Sequence, residues 1–148
     1  MIRRFIWTLS VACLVGTIVV AARQPSQQKA APPSGSGWQL PPDADSTKNP
    51  LTVDAVVLAN GKAVFKENCQ KCHGAAGLGD GPDADPDLQD DMNLTKASRA
   101  AKNSDGIVFY KIFNGRKKPK MPAQKDDLTK DQIWSVVAYV QTLRKTAL

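Results

Sequence analysis

Residues Cys69-Gln70-Lys71-Cys72-His73 decide how this chain is read. Two of the three cysteines and the single histidine of the 148-residue sequence fall within those five positions. A C-x-x-C-H run is the attachment signature of a c-type haem. The two thiols add across the porphyrin vinyl groups to become thioethers, and the imidazole beside them is held against the iron as the proximal ligand. Other uses of a C-x-x-C pair fit less well. Zinc calls for further ligands, and the sequence holds neither a second cysteine pair nor a second histidine. A dithiol oxidoreductase would set the pair in a βαβ unit, a pattern not found here.

A chain of this length has room for one small domain plus a segment that is removed or held in lipid. A covalently held porphyrin adds apolar surface to a core that would otherwise be marginal at this size. Ten glycines and ten prolines point to loops and short helices, and no stretch alternates as a strand would. The expected fold is therefore all-α: three to five short helices around a covalently bound haem, preceded by an apolar N-terminal helix and a disordered linker. The expected divisions are 1–22, 23–50 and 51–148.

The N-terminal part sets the compartment. Met1-Ile2-Arg3-Arg4 is basic, and residues 5–22 carry no charge before Arg23. As a signal peptide this is a basic start, an apolar stretch and small residues, with Val20 and Ala22 placed for cleavage. As a retained anchor the 18-residue run just spans a bilayer, with Arg3 and Arg4 on the cytoplasmic side. Both readings export the remainder to the periplasmic side, free after cleavage or anchored to the inner membrane. Cys13 reads as a small hydrophobe within the run. Residues 23–50, rich in Pro, Ser, Gln, Gly and Ala, read as a flexible tether, in which Trp38 stands out as a residue able to dock on the domain.

From Asp54 the apolar positions recur at helical spacing, Val57, Gly61, Val64 and Phe65 sharing a face that leads into the haem motif. The glycine-rich stretch after His73 can wrap a haem edge, and the carbonyl of Pro82 is the expected acceptor for the second ring nitrogen of His73. Asp80, Asp83, Asp85, Asp87, Asp90 and Asp91 follow with no basic residue among them. They lack the glycine and glutamate offsets of an EF-hand and read as a solvated acidic loop. A middle helix is expected over 105–113, closed by Asn114-Gly115. A last helix should start behind a Thr129/Gln132 capping box, with Trp134 and Tyr139 packed on the first helix.

Two methionines besides Met1 compete for the sixth iron position. Met121 is the stronger candidate, because Pro119 and Pro122 stiffen its loop just ahead of the last helix. Met92 reads as packing. A thioether ligand raises the potential and closes the iron to other ligands. Around Met121, residues 111–125 contain Lys111, Arg116, Lys117, Lys118, Lys120 and Lys125 and no acid. With Lys71, the first five of these form a basic face suited to steering an acidic redox partner. The formal charge is +6, or +4 without Arg3 and Arg4. Nucleic acid is not expected as a partner, since aromatics are not interleaved with the basic residues.

The order helix, C-x-x-C-H, glycine-rich loop, middle helix ending Tyr110-Lys111-Ile112-Phe113-Asn114-Gly115, Met121-Pro122, and last helix with Ile133-Trp134-Ser135-Val136-Val137-Ala138-Tyr139-Val140 resembles the bacterial monohaem class I c-type cytochromes over residues 54–146. The resemblance implies one haem c joined to Cys69 and Cys72, with His73 and Met121 as axial iron ligands. It also implies Gly61 and Phe65 packing on the last helix near Trp134. The function it implies is a single-electron carrier, not an enzyme, between exported redox proteins or membrane respiratory complexes with an acidic docking face. The competing readings are a haem enzyme or gas sensor with an exchangeable sixth ligand, and a haem subunit of a larger respiratory complex.

Overall fold

A computed structural model of the chain describes residues 37–145. The apolar run over 5–22 and linker residues 23–36 lie outside the described residues. Six α-helices follow in order: α1 Ala55–Asn68, α2 Gln70–His73, α3 Gln89–Met92, α4 Ala97–Ala100, α5 Asp105–Asn114 and α6 Lys130–Lys145, with a 3-10 turn over Pro86–Leu88 leading into α3. Among the described residues the extended backbone amounts to one antiparallel bridge between Arg116 and Met121. The fold is all-α, with six helices among the described residues where three to five were expected around the haem. The additions are single turns: α2, α3 and α4 have four residues each, too few to leave a 3.6-residue periodicity in the sequence. No helix among the described residues is long and apolar enough to cross a membrane.

The three longer helices make the core. The Asp54 carboxylate caps α1 by accepting the Val57 N–H at 2.8 Å. The same helix turns Gly61, Val64 and Phe65 inward against α6. At Gly61 the helices touch backbone to backbone, since a Cβ there would collide with the Ser135 carbonyl oxygen. The expected capping box starts α6: Thr129 N–H donates to Gln132 Oε1 at 2.9 Å, and Gln132 N–H donates to Thr129 Oγ1 at 3.2 Å. Ile133, Val136 and Val137 of α6 are completely buried.

Tyr139 meets Phe65 edge-on, ring centroids 5.3 Å apart, as expected. Trp134 does not share that partner. Its ring stacks on Phe109 of α5 at 4.2 Å. Five residues along a helix rotate a side chain by roughly 140°, so residues 134 and 139 face different neighbours.

The described part of the expected linker, 37–50, lies across α5 and α6 as a strap. Ala44 is buried and its carbonyl abuts Gly106 at the start of α5. Asn49 Nδ2 donates to the Trp134 carbonyl at 3.0 Å, and Asn114 Nδ2 donates to the Gln39 carbonyl at 2.8 Å. Composition argued against order here because the strap has little apolar surface. What holds it is a set of side chain to backbone hydrogen bonds, which leave no periodic trace in sequence.

Candidate haem site

Cys69, Cys72 and His73 sit on one turn of chain. Cys69 ends α1, its N–H donating to the Phe65 carbonyl at 2.9 Å, and its own carbonyl accepts the N–H groups of Cys72 at 3.2 Å and His73 at 3.0 Å. Both thiols are free and partly buried. Burial, with the Cys72 thiol adding to it, pushes the free Cys69 thiol up to about 12, and the side chain packs against the core. The turn stops at Gly74, whose φ of +77° suits glycine.

The loop that follows folds back on this turn. Gly79 N–H donates to the His73 carbonyl at 2.8 Å, Asp83 N–H to the Lys71 carbonyl at 2.7 Å, and Leu94 N–H to the Gly77 carbonyl at 2.7 Å. The return brings the C-terminal residue of α3 over the histidine, where His73 Nδ1 donates to the Met92 carbonyl at 2.7 Å. Pro82 was the expected acceptor; the acidic stretch extends the loop, and the chain comes back to the ring ten residues later. A carbonyl can only accept, so Nδ1 holds the proton and Nε2 keeps its lone pair. Burial lowers the His73 pKa, the Met92 hydrogen bond opposing it, which favours the neutral ring that a metal requires.

Met121 lies on a separate loop, between α5 and α6. It packs against the same buried core that Cys69 touches. The loop leaves α5 at Gly115, φ +61°, where a Cβ would strike the backbone of residues 121–123. It closes through the Arg116–Met121 bridge, with both N–H···O distances 2.8 Å. Arg116 Nε also donates to the Pro119 carbonyl at 2.9 Å.

The cytochrome c family model matches residues 58–144, which hold all of these groups. The chain belongs to the cytochrome c family. The cytochrome c6 of Parathermosynechococcus lividus is 36% identical over 92 residues, 56% of this chain and 86% of that relative. Membership makes the protein a class I monohaem c-type cytochrome, an electron-transfer protein with one covalently bound haem c. The donor set fits that group: two unpaired thiols on adjacent sides of a single turn, next to a neutral imidazole with its ring orientation already set.

Around this cytochrome's site the basic residues divide. Lys71, Lys117, Lys118 and Lys120 are exposed. Lys111 and Arg116, expected on the same outer face, are half-buried and turned onto Trp38. The Arg116 guanidinium lies 4.4 Å from that ring's centroid and the Lys111 ammonium 5.1 Å from it. Lys111 also donates to Asn103 Oδ1 at 2.5 Å. Burial first, then the charges of Arg144, Arg116 and Arg99, pushes Lys111 down to about 8. The acidic stretch is partly paired in turn, Asp90 with Lys96 at 2.6 Å and Asp91 with Arg99 at 3.2 Å.

Sequence reasoning missed two supports of the site. One is the backbone of Met92. The other is Arg144, a charged residue near the end of α6 that is buried. Its Nε donates to the Leu94 carbonyl at 3.2 Å and its Nη1 to the Asn103 carbonyl at 3.0 Å, tying α6 to the segment that anchors the histidine. A backbone acceptor has no residue signature, and an arginine next to Lys145 at the end of a helix reads as any other terminal cation.

Proposed function

We propose that this cytochrome carries single electrons on one low-spin haem c, joined through Cys69 and Cys72 and ligated by His73 and Met121. The observation that carries the reading is the His73 Nδ1 hydrogen bond to the Met92 carbonyl, which leaves the Nε2 lone pair for the iron on the same turn of chain that bears both thiols. When bound, haem c supplies a one-electron iron couple. The chain's part is to hold the imidazole in one orientation and to present a thioether on a loop pinned at both ends. Lys71, Lys117, Lys118 and Lys120 are the residues through which an acidic redox partner would be steered. The basic start and the uncharged run over 5–22 support export, by cleavage or with retention at the membrane.

The test is the optical spectrum of the oxidised, haem-loaded protein. The wild type should be low-spin and show the sulfur-to-iron charge-transfer band. Met121→Ala should abolish the band and Met92→Ala should keep it, because the latter change leaves the Met92 carbonyl in place. High-spin iron in the wild type would support an exchangeable sixth site instead, and a band lost only in Met92→Ala would reverse the ligand assignment. Extraction of cell membranes with high salt and then detergent separates a free from an anchored protein.

A further inference from the structure

We propose that the strap over 37–50 is a positioning element for the Met121 loop, and that Trp38 is the residue through which it acts. This rests on the assignment of Met121 as sixth ligand. Trp38 lies under the Arg116 guanidinium, 4.4 Å from ring centroid to charge. Arg116 is the partner of Met121 in the bridge, and its Nε holds the Pro119 carbonyl inside the same loop. The strap is fastened on the other side of Trp38 by the Asn114–Gln39 hydrogen bond, at the residue preceding Gly115. Lys111, on the adjacent turn of α5, places a second cation 5.1 Å from the ring.

Beyond its bridge, the Arg116–Pro119 bond and the packing of Met121 on the core, the loop is open to solvent. Lys117, Lys118, Lys120 and Pro122 are exposed, and among its residues Gly115 is buried. A loop closed by two backbone hydrogen bonds opens locally at small cost unless a side-chain contact adds to the closed state. The Trp38–Arg116 contact is such an addition, and partial burial of the guanidinium makes it stronger than an exposed cation–π pair. Removing the ring should therefore shift the loop toward open conformations in which Met121 is withdrawn and a small ligand can replace it.

The experiment is imidazole titration of the oxidised, haem-loaded full chain, followed through the charge-transfer band. Trp38→Ala is expected to bind imidazole about tenfold more tightly than the wild type, a factor of the size a partly buried cation–π contact supplies. Trp38→Phe should recover most of the difference. Arg116→Gln removes the cation and also the Nε bond to the Pro119 carbonyl, so it should bind imidazole at least as tightly as Trp38→Ala, and adding Trp38→Ala to it should change little. Should Trp38→Ala fail to accumulate, Trp38→Leu takes its place. Unchanged imidazole affinity in Trp38→Ala, or in Trp38→Leu in that event, overturns the proposal. A wild type without the band overturns the Met121 assignment instead, so the two failures are told apart.

Discussion

A methyl group at position 61 would sit on the Ser135 carbonyl oxygen and against Tyr139 Cβ. Both obstacles are backbone or the root of a side chain, so neither can swing aside, and α1 would have to lift from α6. Gly61→Ala gains about 1 kcal/mol of helix propensity, yet forced separation of packed elements typically costs about 1–3 kcal/mol or more. The net expectation is a loss of up to about 2 kcal/mol, read as a lower guanidinium unfolding midpoint in the haem-loaded protein. Since α1 leads straight into Cys69, the same change should disturb the start of the Cys69–His73 turn. Arg144 is the opposite kind of residue, a long charged side chain brought inside. Burial lowers its pKa, with Asp105 acting against that, and its hydrogen bonds to two loop carbonyls offset the cost of desolvation.

The elements depend on their ends as much as on their faces. Thr129→Ala removes the hydroxyl that accepts the Gln132 N–H and should cost about 1 kcal/mol. Faster amide exchange in the first turn of α6 would check that the loss is local. This capping box, the two long helices α1 and α6 and the close grouping of Cys69, Cys72 and His73 were legible in the sequence because each is written in side-chain types at short spacing. Thr129 and Gln132 are three apart, and Cys69, Cys72 and His73 occupy five positions. What escaped was written in backbone atoms or at long range. The Met92 carbonyl anchoring His73 spans 19 residues, and Asn49 reaches Trp134 across 85. The strap was misread for the same reason: its composition lacks apolar residues, while its order comes from partners far along the chain. Lys111 and Arg116 were counted as surface charge because sequence does not reveal that Trp38 lies beneath them.

For the molecule as a whole, the grouping of cations around Lys111 makes stability depend on pH. Arg144 from α6, Arg99 from α4 and Arg116 from the Met121 loop face it, with Asn103 as its hydrogen-bond partner. With the folded pKa near 8 and the ordinary value at 10.5, the unfolded chain holds the proton after the folded one has released it. Stability from this group therefore rises as pH climbs between those two values and is fully forfeited below the lower one. Lys111→Met should be the more stable protein at pH 7, with its advantage over the wild type shrinking toward pH 10. Paired unfolding curves across that range measure the gap, and a gap that stays constant would contradict the pKa. The double pinning of the loop beyond His73 has a practical consequence of another sort. Backbone bonds at Gly79 and Asp83 secure its outgoing limb, and those at Met92 and Leu94 secure its return. The turn between, around Pro86 and Asp87, is exposed and bonded only within itself. It is the place where foreign sequence can be spliced into this cytochrome, an epitope or an electrode-binding peptide for instance, with the Gly79 bond to the His73 carbonyl left upstream of the insert and the Met92 bond to the ring left downstream.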